Sequence, residues 1–434
     1  MEMETTEADR GPVAFEGEMV DLAHIKRAED VLERARAFGV LDWGRPRCAR
    51  LSSPTVTQSL TRRAYVHVSH MSTIPESSVP DQLDEMTVVD VDAHVSETVD
   101  HLVPYVDDGA ADALTSGRPV FIGMYGWDLT MRGRITTAYS DERKDKAIGE
   151  AYAEVLDEFK TDYAMLTPTK GSTINLFSDV DLACEVASAY NEFQLAELLN
   201  RDERFRGALL VYFHDPQRAA EEIEKHGDED DIVGVYAASS GQQIPFGDPK
   251  FDPIYEAAET NDLPIAYHAT VKGGPTDFPQ QNSGLQTFTA AHTLFHPWSQ
   301  ELTLASLVEH GAPEKFPDLD WVFLEAGIGW VPYLLWRLDK HYLSRRSELP
   351  LLEKKPSEYA DDQFYYASQP IGEPDDPDHI KQMVDMIGAD NLLYATDFPH
   401  FDFDAPVEPA RQFGLDREET RQVFGETAMG VFDI

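Results

Sequence analysis

From residue 87 onward the chain repeats one rhythm. A short apolar run rich in β-branched and aromatic residues is followed by a stretch with apolar residues every three or four positions. The short runs fall at 88–94 (VVDVDAH), 162–168 (DYAMLTP), 206–213 (RGALLVYF), 231–239 (DIVGVYAAS), 263–269 (LPIAYHA), 319–327 (LDWVFLEAG), 362–370 (DQFYYASQP) and 391–399 (NLLYATDFP). Each reads as a strand. Between them the spacing predicts helices over 144–159, 180–200, 216–225, 253–260, 331–343 and 379–387. Asp215-Pro216 and Asp252-Pro253 are good helix starts. Asp accepts hydrogen bonds from the open N–H groups of a first turn, and Pro has no N–H to leave unpaired. Strands alternating with helices throughout 87–434 predict an α/β protein, a parallel (β/α)8 TIM barrel. A doubly wound open sheet is the rival, but it places its ligand at one switch point and uses few strand ends.

Two connections are too long for a minimal barrel. Residues 96–143 follow the first strand and contain RPVFIGMYG at 118–126, a candidate hairpin. Residues 271–299 follow the fifth strand and are rich in Gly, Pro, Gln and Thr. Connections after barrel strands lie on the catalytic face, so both long loops are candidate substrate lids.

Residues 1–80 break the rhythm. An amphipathic helix is expected over 18–38, where Val20, Ile25, Val31 and Leu32 recur near helical spacing. Residues 45–63 are rich in Arg, Ser and Thr, and 72–85 are rich in Pro, Ser and acid, like a linker. This composition supplies no core, so 1–80 is expected to be a flexible N-terminal extension, or a stretch upstream of a start at Met71. The alternative is an arm packed on the barrel or on a partner subunit, as in a homo-oligomer.

The strand ends carry the chemistry. Side chains alternate along a strand, so Asp92 and His94 are expected on one face at the end of the first. His268 ends the fifth strand, Glu325 the sixth and Asp397 the eighth. Barrel enzymes build their sites at these C-terminal ends. Asp92, His94, His268 and Asp397 together offer two imidazoles and two carboxylates, a donor set for one borderline divalent cation, Zn or Mn before others. A cation with an open position lowers the pKa of a bound water to ~7. Each residue alone has a plainer reading. Asp92 can cap a turn, His268 can be a hydrogen-bonded core histidine, and Asp397 can start a turn at Phe398-Pro399.

Composition narrows the partners. The formal net charge is -43, with 79 Asp+Glu against 36 Lys+Arg, which repels nucleic acid and anionic membranes and leaves a small-molecule substrate. An apolar fraction of 42% argues against a disordered acidic chain. Such acidity resembles proteins of halophilic, haloarchaeal organisms, and stability is then expected to fall as salt is lowered. Cys48 and Cys184 make neither a disulfide framework nor a thiolate site. With an acidic start that lacks the pattern of a signal peptide and no apolar run long enough to span a bilayer, a cytoplasmic location is expected.

Four blocks carry a family resemblance: VVDVDAHVSE, LPIAYHA, KFPDLDWVFLEAGIGWVPYLLWRLD and LLYATDFPHFD. Over about 87–434 the chain resembles the amidohydrolase superfamily, in its amidohydrolase-related, aminocarboxymuconate-semialdehyde-decarboxylase-like branch. The resemblance implies a (β/α)8 barrel, one divalent metal, and either hydrolysis or non-oxidative decarboxylation. Asp92 stands where the branch's opening motif usually has its first histidine, and Glu325 where many relatives carry a strand-six histidine. Glu325 is expected to act as a base or to approach the metal, and either Glu325 or Asp397 to shuttle the proton. Its plainer reading is a hydrogen bond to the 327–330 turn. His400 is a further catalytic candidate beside Asp397. His292 and His296 could reach substrate from the strand-five lid, and Arg337 could pair with a substrate carboxylate. Glu97 is placed to support the ligands from behind. Hydrolysis of an amide, ester or lactone is the first expectation, a carboxy-lyase the second, and a catalytically silent ligand-binding barrel the third.

Overall fold

The computed structural model describes residues 13–15, 18–20, 83, 85–116, 148–269, 287–376, 378–400 and 402–434. The chain divides into two compact units, Met1–Val66 and His67–Ile434. What is described of the first is an antiparallel pair, Val13–Phe15 with Glu18–Val20, in which Val13 lies opposite Val20. The helix expected from residue 18 therefore does not begin there. The ladder takes backbone groups that a helix would need. The remainder of that expected helix lies outside the described residues.

The second unit is a barrel. Its strands are β1 (Val89–Val95), β2 (Tyr163–Pro168), β3 (Phe205–Leu210), β4 (Ile232–Ala238), β5 (Ile265–His268), β6 (Trp321–Leu324), β7 (Phe364–Ala367) and β8 (Leu392–Leu393). Parallel ladders join each to the next. Backbone bonds then bring the last segment to the first: Val91 N to Tyr394 O (3.1 Å), Asp397 N to Asp92 O (2.9 Å) and His94 N to Phe398 O (2.9 Å). Every predicted strand is present; β1 is as long as its apolar run and the others are shorter.

The described helices are α1 (Val99–Leu102), α2 (Asp108–Thr115), α3 (Glu150–Phe159), α4 (Val180–Phe193), α5 (Pro216–His226), α6 (Asp252–Thr260), α7 (Phe288–Glu309), α8 (Ala312–Lys315), α9 (Val331–Ser344), α10 (Pro356–Gln363), α11 (Asp378–Ile387) and three short ones after β8. Asp215 caps α5 as expected, accepting from Arg218 N at 3.3 Å. Asp252 does not cap α6; it is the first helical residue and pairs with Lys315 at 2.6 Å. Both long connections are partly helical. The first opens with α1 and α2, while its expected hairpin at 118–126 lies outside the described residues. The second ends in α7, so residues 288–299 are helix rather than loop. Thr287 caps it by accepting from Ala290 N at 3.2 Å, and Ala291, Phe295, Leu304 and Leu307 bury its inner face. No helix among the described residues is long and apolar enough to cross a membrane.

Candidate metal centre

The C-terminal rim gathers the predicted donors. His94 Nε2 lies 3.0 Å from His268 Nε2, 3.4 Å from Asp92 Oδ1 and 3.3 Å from Asp397 Oδ1. His268 Nε2 lies 3.5 Å from Asp92 Oδ2 and 3.3 Å from Glu325 Oε2. All five residues are buried. Several of these separations exceed the ~2.7–3.2 Å of a good N–H···O hydrogen bond. They suit instead the edge of a coordination shell, since ligands ~2.1 Å from one ion stand ~3.0–3.4 Å apart. Asp92 Oδ2 has no hydrogen-bond partner despite complete burial. An orphaned carboxylate oxygen facing two imidazoles is a donor set that fits a divalent cation.

Local structure aims these groups. The β1–β2 register shifts between Asp90 and Ala93, and such a break re-aims side chains. Asp90 turns to the β8 side, while Asp92 and His94 turn to the rim. Glu325 and Asp397 both hold left-handed backbone, at φ 55° and 59°. Non-glycine residues rarely adopt it, and the strain collects at sites the surrounding fold over-determines. Beside Glu325, Gly327 sits at φ +61°, where a Cβ would come within 2.5 Å of Pro370 O, so glycine lets the chain pass β7.

Electrostatics agree with geometry. Burial, then the nearby Glu325, Asp402 and Asp92 carboxylates, pushes the Asp397 carboxyl well above the usual range. Burial also raises the Asp402 carboxyl, and it pushes that of Asp404 well above the usual range. Gln369 Nε2 donates to Asp397 Oδ2 at 3.2 Å. His400 Nδ1 lies 2.5 Å from Asp397 Oδ1, and its ring is 4.3 Å from that of His94.

Other predicted residues lie elsewhere or act differently. His292 and His296 stand on α7, a helix rather than a lid loop, with His296 Nε2 3.7 Å from Glu325 Oε1. Arg337 is exposed on α9 and bonds His341 at 3.1 Å, so the structure does not bring it to the cluster. Helical spacing put it on the outer face. Glu97 is buried but accepts from Thr169 N (3.1 Å), Lys170 N (2.6 Å) and Gly171 N (2.6 Å). It fastens the turn after β2 instead of backing the ligands.

Sequence reasoning passed over four participants. Gln369 lies two residues past the end of β7, a polar signal just beyond a strand end. Asp402 lies 3.5 Å from His292, two residues beyond His400. Tyr236 on β4 packs its ring 5.2 Å from that of His268; burial, then Asp92 and Glu325, drive its hydroxyl pKa far up. Thr167 donates to Asp92 Oδ1 at 3.1 Å.

Known proteins share this architecture. The gamma-resorcylate decarboxylase of Polaromonas sp. strain JS666 is 22% identical over 289 residues, covering 62% of this chain and 83% of its own. The crystal structure of 5-carboxyvanillate decarboxylase from Sphingomonas paucimobilis superposes with a TM-score of 0.60 at 21% identity, covering 81% of this chain and all of the other. That of Novosphingobium aromaticivorans, complexed with manganese and 4-hydroxy-3-methoxy-5-nitrobenzoic acid, gives 0.62 at 20% identity, covering 84% and 99%. The amidohydrolase family model matches residues 89–434, from the first barrel strand onward, and the chain belongs to that family.

Proposed function

We propose that this chain is a metal-dependent carboxy-lyase that removes carbon dioxide from a small carboxylated aromatic acid without oxidation. The observation that carries the reading is the buried convergence of Asp92, His94 and His268 at the barrel rim, with Asp397 Oδ1 3.3 Å from His94 Nε2. Relatives that are decarboxylases of hydroxylated aromatic acids support it, and solved relatives with manganese support Mn as the ion, with Zn the other candidate. Decarboxylation thereby takes precedence over the hydrolysis expected first.

Those four residues would hold the cation. When bound, it supplies a Lewis-acidic anchor for the substrate's carboxylate and for an adjacent oxygen. The rest falls to the side chains. The substrate C–C bond breaks, carbon dioxide leaves, and the ring carbon must take a proton. Asp397 and His400 share one hydrogen bond, so a proton can move between Oδ1 and Nδ1 without rearrangement. His400 is partly exposed and can exchange that proton with solvent. Glu325 is the second acid–base group, held beside His268.

The test is carbon dioxide release from a panel of hydroxybenzoates and carboxyvanillate-type acids by metal-analysed protein, run in D2O. The expected result is carbon dioxide and arene in equal amounts, with deuterium at the vacated position. Ester or lactone hydrolysis without carbon dioxide would restore the hydrolase reading. No reaction and no retained metal would leave a ligand-binding barrel.

A further inference from the structure

Beside the strand-end cluster lies a second group of donors. His292 and His296 are four residues apart on α7, so they share one helix face; their ring centroids are 4.2 Å apart. Two histidines at this spacing on a helix are a known way to grip a metal from one side. The face points at the end of β6. One ligand atom each from His292, His296 and Glu325 lie within 4.8 Å of one another. On the far side, His292 Nε2 is 3.5 Å from Asp402 Oδ2, and Asp402 Oδ1 is buried with no hydrogen-bond partner.

Glu325 faces both groups. Its Oε2 is 3.3 Å from His268, in the first cluster, and its Oε1 is 3.7 Å from His296, in the second. The His292–Asp402 and His296–Glu325 separations are long for hydrogen bonds and close to the spacing of ligands around one ion. Asp92, Asp397 and Glu325 are buried at this rim, and Asp402 beside them is partly exposed.

We propose that His292, His296 and Glu325, with Asp402 behind His292, form a second divalent-cation site, and that Glu325 bridges two ions in a binuclear rim. The bridge rests on the first-centre reading above; the second donor group does not. Two imidazoles and carboxylate oxygens suit Mn or Zn.

The experiment uses the full chain, stripped with a chelator and titrated with Mn2+. Retained metal is counted by elemental analysis after buffer exchange, and the Mn2+ spins are read by electron paramagnetic resonance. The expected result is two Mn per chain with the spectrum of an exchange-coupled pair. The double variant His292→Asn/His296→Asn, checked for native circular dichroism, should hold one Mn with an uncoupled six-line spectrum. One Mn per wild-type chain, uncoupled, overturns the second site and leaves the first standing. No retained Mn overturns both. The wild-type measurement decides the question even if the double variant fails to fold.

Discussion

Two kinds of buried carboxylate stand within a few residues of each other in this barrel. Asp90 accepts four hydrogen bonds: from Thr396 N (2.9 Å), Thr396 Oγ1 (2.5 Å), Asp92 N (3.1 Å) and Tyr152 OH (3.1 Å). Glu97 accepts three from consecutive backbone N–H groups. Asp92, two positions from Asp90, accepts a hydroxyl from Thr167 and leaves its other oxygen without a donor. It faces His94 and His268 instead. The difference teaches how to read a buried acid. One whose lone pairs are filled by N–H and O–H groups is a cross-link. Asp90 ties β1 to the segment after β8, and Glu97 ties it to the turn after β2. One that faces imidazoles with an oxygen to spare is built for a Lewis acid.

Removing an acid of the second kind should cost the most function. Asp92→Asn should lose its metal and lower kcat/KM by about 10³-fold or more, since a Lewis acid is worth several kcal/mol to such a reaction. Circular dichroism and metal analysis check that the fold survives while the ion is lost; full metal retention would break the comparison. His400→Asn tests the proton path next to the cluster. It should keep its metal and lose roughly 10²-fold in kcat, the lower end of what a positioned acid–base group supplies. Solvent exchange of deuterium into product should slow in parallel.

An acid of the first kind should behave oppositely. Glu97→Ala strands three backbone N–H groups, two of them buried, and should cost about 2–3 kcal/mol in urea unfolding, while the folded fraction keeps its metal. Metal loss without loss of stability would put Glu97 among the ligands' supports after all.

Asp320, at the entrance to β6, belongs to neither kind, and burial alone pushes its carboxyl up to about 6. Between about pH 4 and 6 the folded chain then holds a proton that the unfolded chain releases, so this group's contribution to stability falls as pH rises through that window. Asp320→Asn should therefore raise the melting temperature at pH 7 and leave it nearly unchanged at pH 4. An equal shift at both pH values would show that ionisation is not the cause.

The legible part of the site was the part that lies on strands. A run such as LPIAYHA both forms β5 and places His268 at its end, so order in the chain becomes order around the rim. Misplacements came where only the folded neighbours tell one polar side chain from another. Arg337 and Glu97 offer the same chemistry as the clustered rim residues, and only their neighbours distinguish them: His341 for one, the 169–171 backbone for the other. His292 and His296 sat in a stretch whose early Gly and Pro content hid the start of α7.

By itself, then, the sequence determined the eight strands, their parallel order and the donors at their ends, because the periodicity of buried residues is a local property that each segment carries alone. Only the tertiary structure decided which acids are saturated and which are bare. It alone set Glu325 and Asp397 in left-handed backbone and Glu325 between two histidine groups. Those outcomes depend on which atoms meet across 75, 174 or 306 residues of chain, and no local pattern records a meeting of that kind.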